Sequence, residues 1–154
     1  MTTTAPIHRA ARYRDNGALI EAARDLGYVS GEVLDATFGK GTWWKRWRPD
    51  LLVTNDLDPG TKADWHEDFT DLPWGPAIFN TVAFDPDYKY AGTANPTVGG
   101  VDHRYGVREY RTPDARDASI VAGVVEAARL VAPGGHLLVK CQDQVVSGKM
   151  RWQT

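Results

Sequence analysis

The stretch Glu32-Val33-Leu34-Asp35-Ala36-Thr37-Phe38-Gly39-Lys40-Gly41-Thr42 decides how this chain is read. A short apolar run ends in an acid, then turns through two glycines into a helix start. Glycine has no Cβ, so backbone N–H groups in such a turn can approach a ligand that other residues would push away. Glycine turns close many strands, and this one gains force from residues downstream of it. Asp56 and Asp58 come about twenty residues on, and Phe84-Asp85-Pro86-Asp87-Tyr88 lies further down.

Working outward, residues 1–15 are polar and basic, with His8, Arg9, Arg12 and Arg14, and read as an N-terminal arm. Asn16 can cap a helix over 17–26 whose apolar face is Leu19, Ile20, Ala23 and Leu26, with Gly27 as the stop. Val33–Thr37 reads as a first strand, Thr42–Arg48 as a short helix ended by Pro49, and Leu51–Asn55 as a second strand closing on Asp56. Ala63–His66 is a weakly marked third strand, and Ala77–Phe84 a fourth, closing on Asp85. Residues 89–112 are glycine-rich and poor in apolar residues, so they read as a long loop. Pro113 suits the first turn of a helix. Ile120, Val121, Val124, Val125, Ala128 and Val131 give that helix its apolar face. Pro133-Gly134-Gly135 ends it, and His136–Cys141 is a fifth strand.

Strands alternating with helices imply one α/β domain over 16–154: an open, mostly parallel sheet covered on both faces. Ligands of such sheets bind outside the carboxyl ends of the strands. Asp35 with Gly39, Asp56, Asp68, and Asp85 with Tyr88 all fall at such ends. Several separate loops thus deliver acids or glycines to one rim.

Bulk composition excludes several classes. The chain has 154 residues, 25% of them charged and 42% hydrophobic, with a formal net charge of −2. That suits a globular domain with its own core, and leaves any case for nucleic acid to local clusters. A lone cysteine, Cys141, excludes an intramolecular disulfide framework, and its apolar surroundings suggest a buried, inert thiol. No stretch is long enough to span a bilayer, and the N-terminus lacks the apolar core of a signal peptide, so a cytoplasmic location is expected. His66 and His103 stand too far apart in sequence to suggest a metal site.

The glycine turn excludes one common ligand. A dinucleotide fingerprint needs a third glycine three residues after the second, and Trp44 stands there. An acid ahead of the glycines repels phosphate and favours an ammonium group. In this respect Asp35-Ala36-Thr37-Phe38-Gly39-Lys40-Gly41 resembles the cofactor turn of class I S-adenosylmethionine-dependent methyltransferases, a family with a Rossmann-like sheet. The resemblance covers about residues 30–141, and in the family such a turn packs on the methionine part of the cofactor. It implies cofactor contacts from Asp35, Phe38, Gly39 and Gly41, ribose contacts from Asp56 or Asp58, and adenine contacts from Asp68 and Phe69. Pro133-Gly134-Gly135-His136-Leu137-Leu138-Val139 is similar to the family's turn into its fifth strand.

Asp85-Pro86-Asp87-Tyr88 resembles the Asp/Asn-Pro-Pro-Tyr signature of the amino-methyltransferases in that family. These methylate exocyclic amines of adenine or cytosine, or a glutamine amide. An aryl amine is a poor nucleophile because its lone pair is delocalised into the ring. An acceptor carboxylate and a proline carbonyl aimed at its N–H groups return density to nitrogen, and a stacked aromatic fixes the line of attack. The resemblance therefore implies catalytic roles for Asp85, Pro86 and Tyr88, with no metal. Asp87 departs from the signature, where a second proline would rigidify the loop.

Substrate contacts are expected from Asp87, Lys89, Tyr90, His103, Arg104, Tyr105 and Lys140, and more broadly from the basic, aromatic loop through Arg108, Tyr110, Arg111 and Arg116. Gln142, Asp143 and Gln144 also fall at the end of the fifth strand. Trp43-Trp44-Lys45-Arg46-Trp47-Arg48 reads as tryptophans packed on the sheet beside solvated basic groups. The expected fold is thus a Rossmann-like open sheet of about five strands flanked by helices, without the family's usual last two strands. Such a sheet exposes its fifth strand, an edge that a dimer or partner chain would cover. The expected activity is methyl transfer from S-adenosylmethionine to an exocyclic amine of DNA, N6-adenine ahead of N4-cytosine. The alternatives are a protein glutamine or small-molecule amine as acceptor, or a truncated, non-catalytic binding module.

Overall fold

In a computed structural model, the described residues are 13–87, 112–141, 144–146 and 149–151, the last two segments as backbone. Helix α1 spans Asn16–Asp25, β1 Val33–Asp35, β2 Leu52–Thr54, β3 Phe79–Phe84, α2 Pro113–Leu130 and β4 Val131–Val139; β5 (Gln144–Val146) and β6 (Lys149–Arg151) follow. The four strands β1–β4 form one parallel sheet in the order β2-β1-β3-β4. This is the expected α/β, Rossmann-like arrangement. The chain moves outward from β1 to β2, then crosses back to build β3 and β4 on the other side. The order therefore reverses between β1 and β3, the position at which open α/β sheets bind their ligands.

Two apolar clusters cover the two faces, and the pleat sorts residues between them. Leu34, Val82 and Phe84 join Phe79, Ile120, Ala127 and Leu130 beneath α2. Val33 and Ala83 join Ile20, Val29, Trp43 and Trp44 on the face of α1. Register holds this parity across strands, since Leu34 lies opposite Val82 and Val82 opposite Leu137.

Several boundaries differ from the sequence expectation. Asp15, not Asn16, caps α1, its carboxylate accepting from Ala18 N at 2.9 Å; aspartate accepts there as well as asparagine does. Gly27 does end the helix, in the left-handed region at φ 84°. Leu26, assigned to the apolar face of α1, is exposed. The expected helix over 42–48 is a single 3₁₀ turn, Thr42–Trp44, with Trp43 and Trp44 both buried. The expected third strand shrinks to one parallel bridge between Asn55 and Trp65. That bridge lies beyond β2, so it extends the sheet in the expected direction without forming a ladder.

Helix α2 starts at Pro113 with Thr112 as its cap. It buries Arg116, Ile120, Gly123, Ala127 and Leu130, a stripe at helical spacing. Val121 and Val125, expected on the buried face, are 62% and 66% exposed. Arg116, expected in a substrate loop, is a buried residue of α2 bonded to Asp117. Strand β4 begins directly after α2 and carries Pro133-Gly134-Gly135 within it as an irregularity rather than as the end of a helix. Cys141 is exposed, not buried, because it lies past the end of β4. An antiparallel pair does follow β4, but β5 and β6 form a separate sheet. Among the described residues no helix is long and apolar enough to cross a membrane. The arm over 1–12 and the loop over 88–111 lie outside the described residues.

Gly123 leaves room for the sheet-side rings packed beneath α2. A Cβ there would lie 2.5 Å from the Phe84 ring and 2.6 Å from Phe69, both in the α2 core. Gly123→Val is expected to destabilise the fold by about 1–3 kcal/mol through overpacking, read as a lower urea midpoint; an unchanged midpoint would show the two layers to be loosely packed.

Candidate active site

The carboxyl ends of β1, β2 and β3 meet at the reversal point. The turn after β1 contains two left-handed glycines, Gly39 at φ 53° and Gly41 at φ 63°. A Cβ on Gly41 would strike the Phe38 ring at 2.7 Å, so the position is closed to side chains twice over. Among the described residues, and leaving aside its chain neighbours, no atom lies within 4 Å of the Cβ position of Gly39.

Asn55, fully buried at the end of β2, holds the surrounding loops together. Its Nδ2 donates to the Ala36 carbonyl at 3.2 Å and the Glu67 carbonyl at 3.0 Å, while its Oδ1 accepts from Glu67 N at 2.9 Å. Phe38 N donates to the Asn55 carbonyl at 2.8 Å. One amide thereby ties the glycine turn to the segment leading to Asp68. Thr37 does the same toward β3, its Oγ1 accepting from Asp85 N at 2.8 Å.

The acids occupy distinct depths. Asp35 continues the parity of Val33 and is only 4% exposed. Its Oδ2 accepts from Trp44 Nε1 at 2.6 Å and its Oδ1 from Thr37 N at 3.1 Å. Burial pushes its pKa up to about 7, against those two hydrogen bonds and with smaller contributions from the charges of Asp85 and Asp56. Asp35, expected to touch a cofactor, thus sits under the turn and shapes it. Asp56 lies nearer the surface. Its Oδ2 accepts from Gly39 N at 2.6 Å and its Oδ1 from Asp58 N at 2.9 Å. Burial raises its pKa more than these bonds lower it. Asp58 is turned to its own loop, accepting from Gly60 N at 2.8 Å, which leaves Asp56 as the acid facing the glycine turn.

Asp85 continues the parity of Ala83. Its Oδ2 accepts from Trp43 Nε1 at 3.0 Å and from Lys140 Nζ at 3.0 Å. Lys140 is brought there by register, because Ala83 lies opposite Leu138 and Asp85 and Lys140 come two residues later on each strand. Pro86 is buried and Asp87 half-buried. Asp68 Oδ1 accepts from Thr70 N at 2.9 Å and Thr70 Oγ1 at 2.7 Å, a local turn. Phe69 packs edge-on against Phe84 at 5.2 Å, within the α2 core. His66 Nδ1 lies 3.1 Å from the Asp56 carbonyl oxygen. Tyr88, Lys89, Tyr90, His103, Arg104 and Tyr105 lie outside the described residues, as do Gln142 and Asp143.

The structure therefore brings together Asp35, Gly39, Gly41, Asp56, Asp85 and Lys140. It adds Trp43, Trp44, Asn55 and Thr37, which sequence reasoning does not assign to the site. Two adjacent tryptophans after a glycine turn carried the signal for the first pair, but their indole N–H groups, not their apolar bulk, make the link. With the Gly39 N–H already given to Asp56, the turn presents negative charge rather than a phosphate cradle. No protein-family model and no curated protein matches this chain.

The raised pKa of Asp35 has a signed consequence. Between about pH 4 and 7 the folded chain holds a proton there that the unfolded chain, with the usual value of 3.8, has released. This contribution is fully present below the unfolded value and is lost as pH rises through about 7. Asp35→Asn removes it. Wild-type urea midpoints are expected to fall relative to Asp35→Asn between pH 5 and pH 8, by an amount on the order of 2–3 kcal/mol in stability. Parallel pH profiles for the two proteins would mean that Asp35 is ionised throughout.

Proposed function

We propose that this chain is a class I methyltransferase that transfers a methyl group from S-adenosylmethionine to an exocyclic amine, with a nucleobase of DNA, N6-adenine ahead of N4-cytosine, as acceptor. The observation that carries the reading is the convergence of the glycine turn, Asp56 and Asp85 at the reversal point of a β2-β1-β3-β4 sheet. A carboxylate-lined rim at the glycine turn suits a cationic ligand. The cofactor would supply a methyl group already activated on a sulfonium. The chain needs only to hold the acceptor amine, draw density back to its nitrogen and take up its surplus proton.

Residue roles follow from depth. Gly39 and Gly41 set the left-handed turn that would pack on the cofactor, and Asp56 suits the ribose hydroxyls. Asp35 acts from below, anchoring Trp44 and the turn. Asp85 and the Pro86 carbonyl are the acceptors for the target N–H groups, with Tyr88 as the stacking ring. Phe69 and Asp68 are weaker adenine contacts, because one is engaged in the core and the other in its own turn. A second reading, a binding module without turnover, draws on Trp43 and Lys140 already bonded to Asp85.

The deciding experiment uses labelled S-adenosylmethionine with DNA, RNA, protein and small-amine acceptors. DNA is expected to take the label, with binding that weakens steeply as salt rises. Asp85→Ala, which removes the acceptor altogether, is expected to lose transfer by about a hundredfold or more while still binding cofactor in calorimetry. Transfer that survives this change would remove Asp85 from the reaction, and cofactor binding without transfer in the wild type would favour the module.

A further inference from the structure

Asp85 is gripped from two directions. Trp43 reaches it from the 3₁₀ turn after Gly41, and Lys140 reaches it from just past β4, both donating to Oδ2 at 3.0 Å. The Trp43 ring is only 6% exposed, so its N–H is fixed by packing rather than by solvent. The ion pair is partly screened, with 32% of the lysine side chain and 18% of the aspartate exposed. A carboxylate at a strand end otherwise turns freely about its terminal bond. Two donors on one oxygen stop that rotation and set the plane in which the group can meet an incoming N–H.

We infer that Trp43 and Lys140 are positioning residues for Asp85, fixing the orientation of the acceptor carboxylate, and that Lys140 does not serve as a phosphate contact. This rests on the role proposed above for Asp85. The two differ in what they transmit. Trp43 lies two residues from Gly41 and so links the geometry of the cofactor turn to the acceptor acid. Lys140 provides the opposite charge and arrives through the β3–β4 register. A lysine meant for a DNA phosphate would extend into solvent; this one folds back on a carboxylate.

The test has a structural and a kinetic arm. The Trp43 indole N–H resonance, identified among the six tryptophans by its loss in Trp43→Phe, is followed by ¹H–¹⁵N NMR. Lys140→Met and Asp85→Asn are each expected to move it more than any other indole signal; a signal unmoved in both overturns the clamp. In methyl transfer, Lys140→Met is expected to lower kcat about tenfold or more, with KM for DNA and its salt dependence unchanged, and Lys140→Arg to recover part of the loss. A salt slope shallower by about one with kcat retained would make Lys140 a phosphate contact and overturn the inference. The expected resonance shifts in the two variants, together with a wild type that transfers no methyl, support the clamp and overturn the proposed reaction instead.

Discussion

In a pleated sheet successive side chains leave on opposite faces, and a parallel ladder holds that alternation in step from strand to strand. Val33, Ala83 and Leu138 share one face here, and the residues two further along β1, β3 and β4 inherit it. Those residues are Asp35, Asp85 and Lys140. The same periodicity that buries valine and alanine therefore brings two acids and a base to one side of the rim. The opposite face, beneath α2, is apolar throughout its core, with Leu34, Val82 and Phe84. Along the strands charge falls at the ends, past the apolar runs, and the buried Arg116 of α2 is paired with Asp117.

Tryptophan is what makes the placement of the acids tolerable. A carboxylate as deeply placed as Asp35 would be costly without a donor, and Trp44 supplies one without adding charge. Trp43 does the same for Asp85 beside Lys140. The two rings lie 6.4 Å apart and inclined by 49°, so each addresses a different strand. Packing and polarity are satisfied by the same pair of side chains, which is why the turn after Gly41 stays short.

Much of the architecture was legible because apolar runs and glycine stops mark local structure. The strands at 33, 52 and 79, the helix from Pro113, and the meeting of acids at one rim all follow from such local signals. What escaped depended on distant partners. The segment at 63–66 carries two polar residues and finds only a bridge beside Asn55. The inward face of α2 is set by Arg116, Gly123 and Ala127, none of which looks apolar enough to announce itself, while Val121 and Val125 do and face outward. Asn55 carried no sign in sequence, since a buried amide is recognised only by the loops it ties together. Lys140 was marked as part of the site, but its tie to Asp85 needed the register between two strands separated by a whole helix.

The irregularity in β4 bears on how such a chain can change over generations. Phe79 and Thr81 of β3 lie opposite Val131 and His136, so a gap of two residues on one strand is matched by five on the other. The slack is taken up around Pro133-Gly134-Gly135, with Gly134 in the left-handed region. Insertions or deletions at this point can be absorbed upstream of the regular ladder from His136 to Val139, without reversing which residues face the acids. The same length change inside β3 would exchange the two faces and carry Asp85 to the wrong side. Descendants of this sequence can therefore drift in length at the foot of the fourth strand, while the third is held to a fixed count.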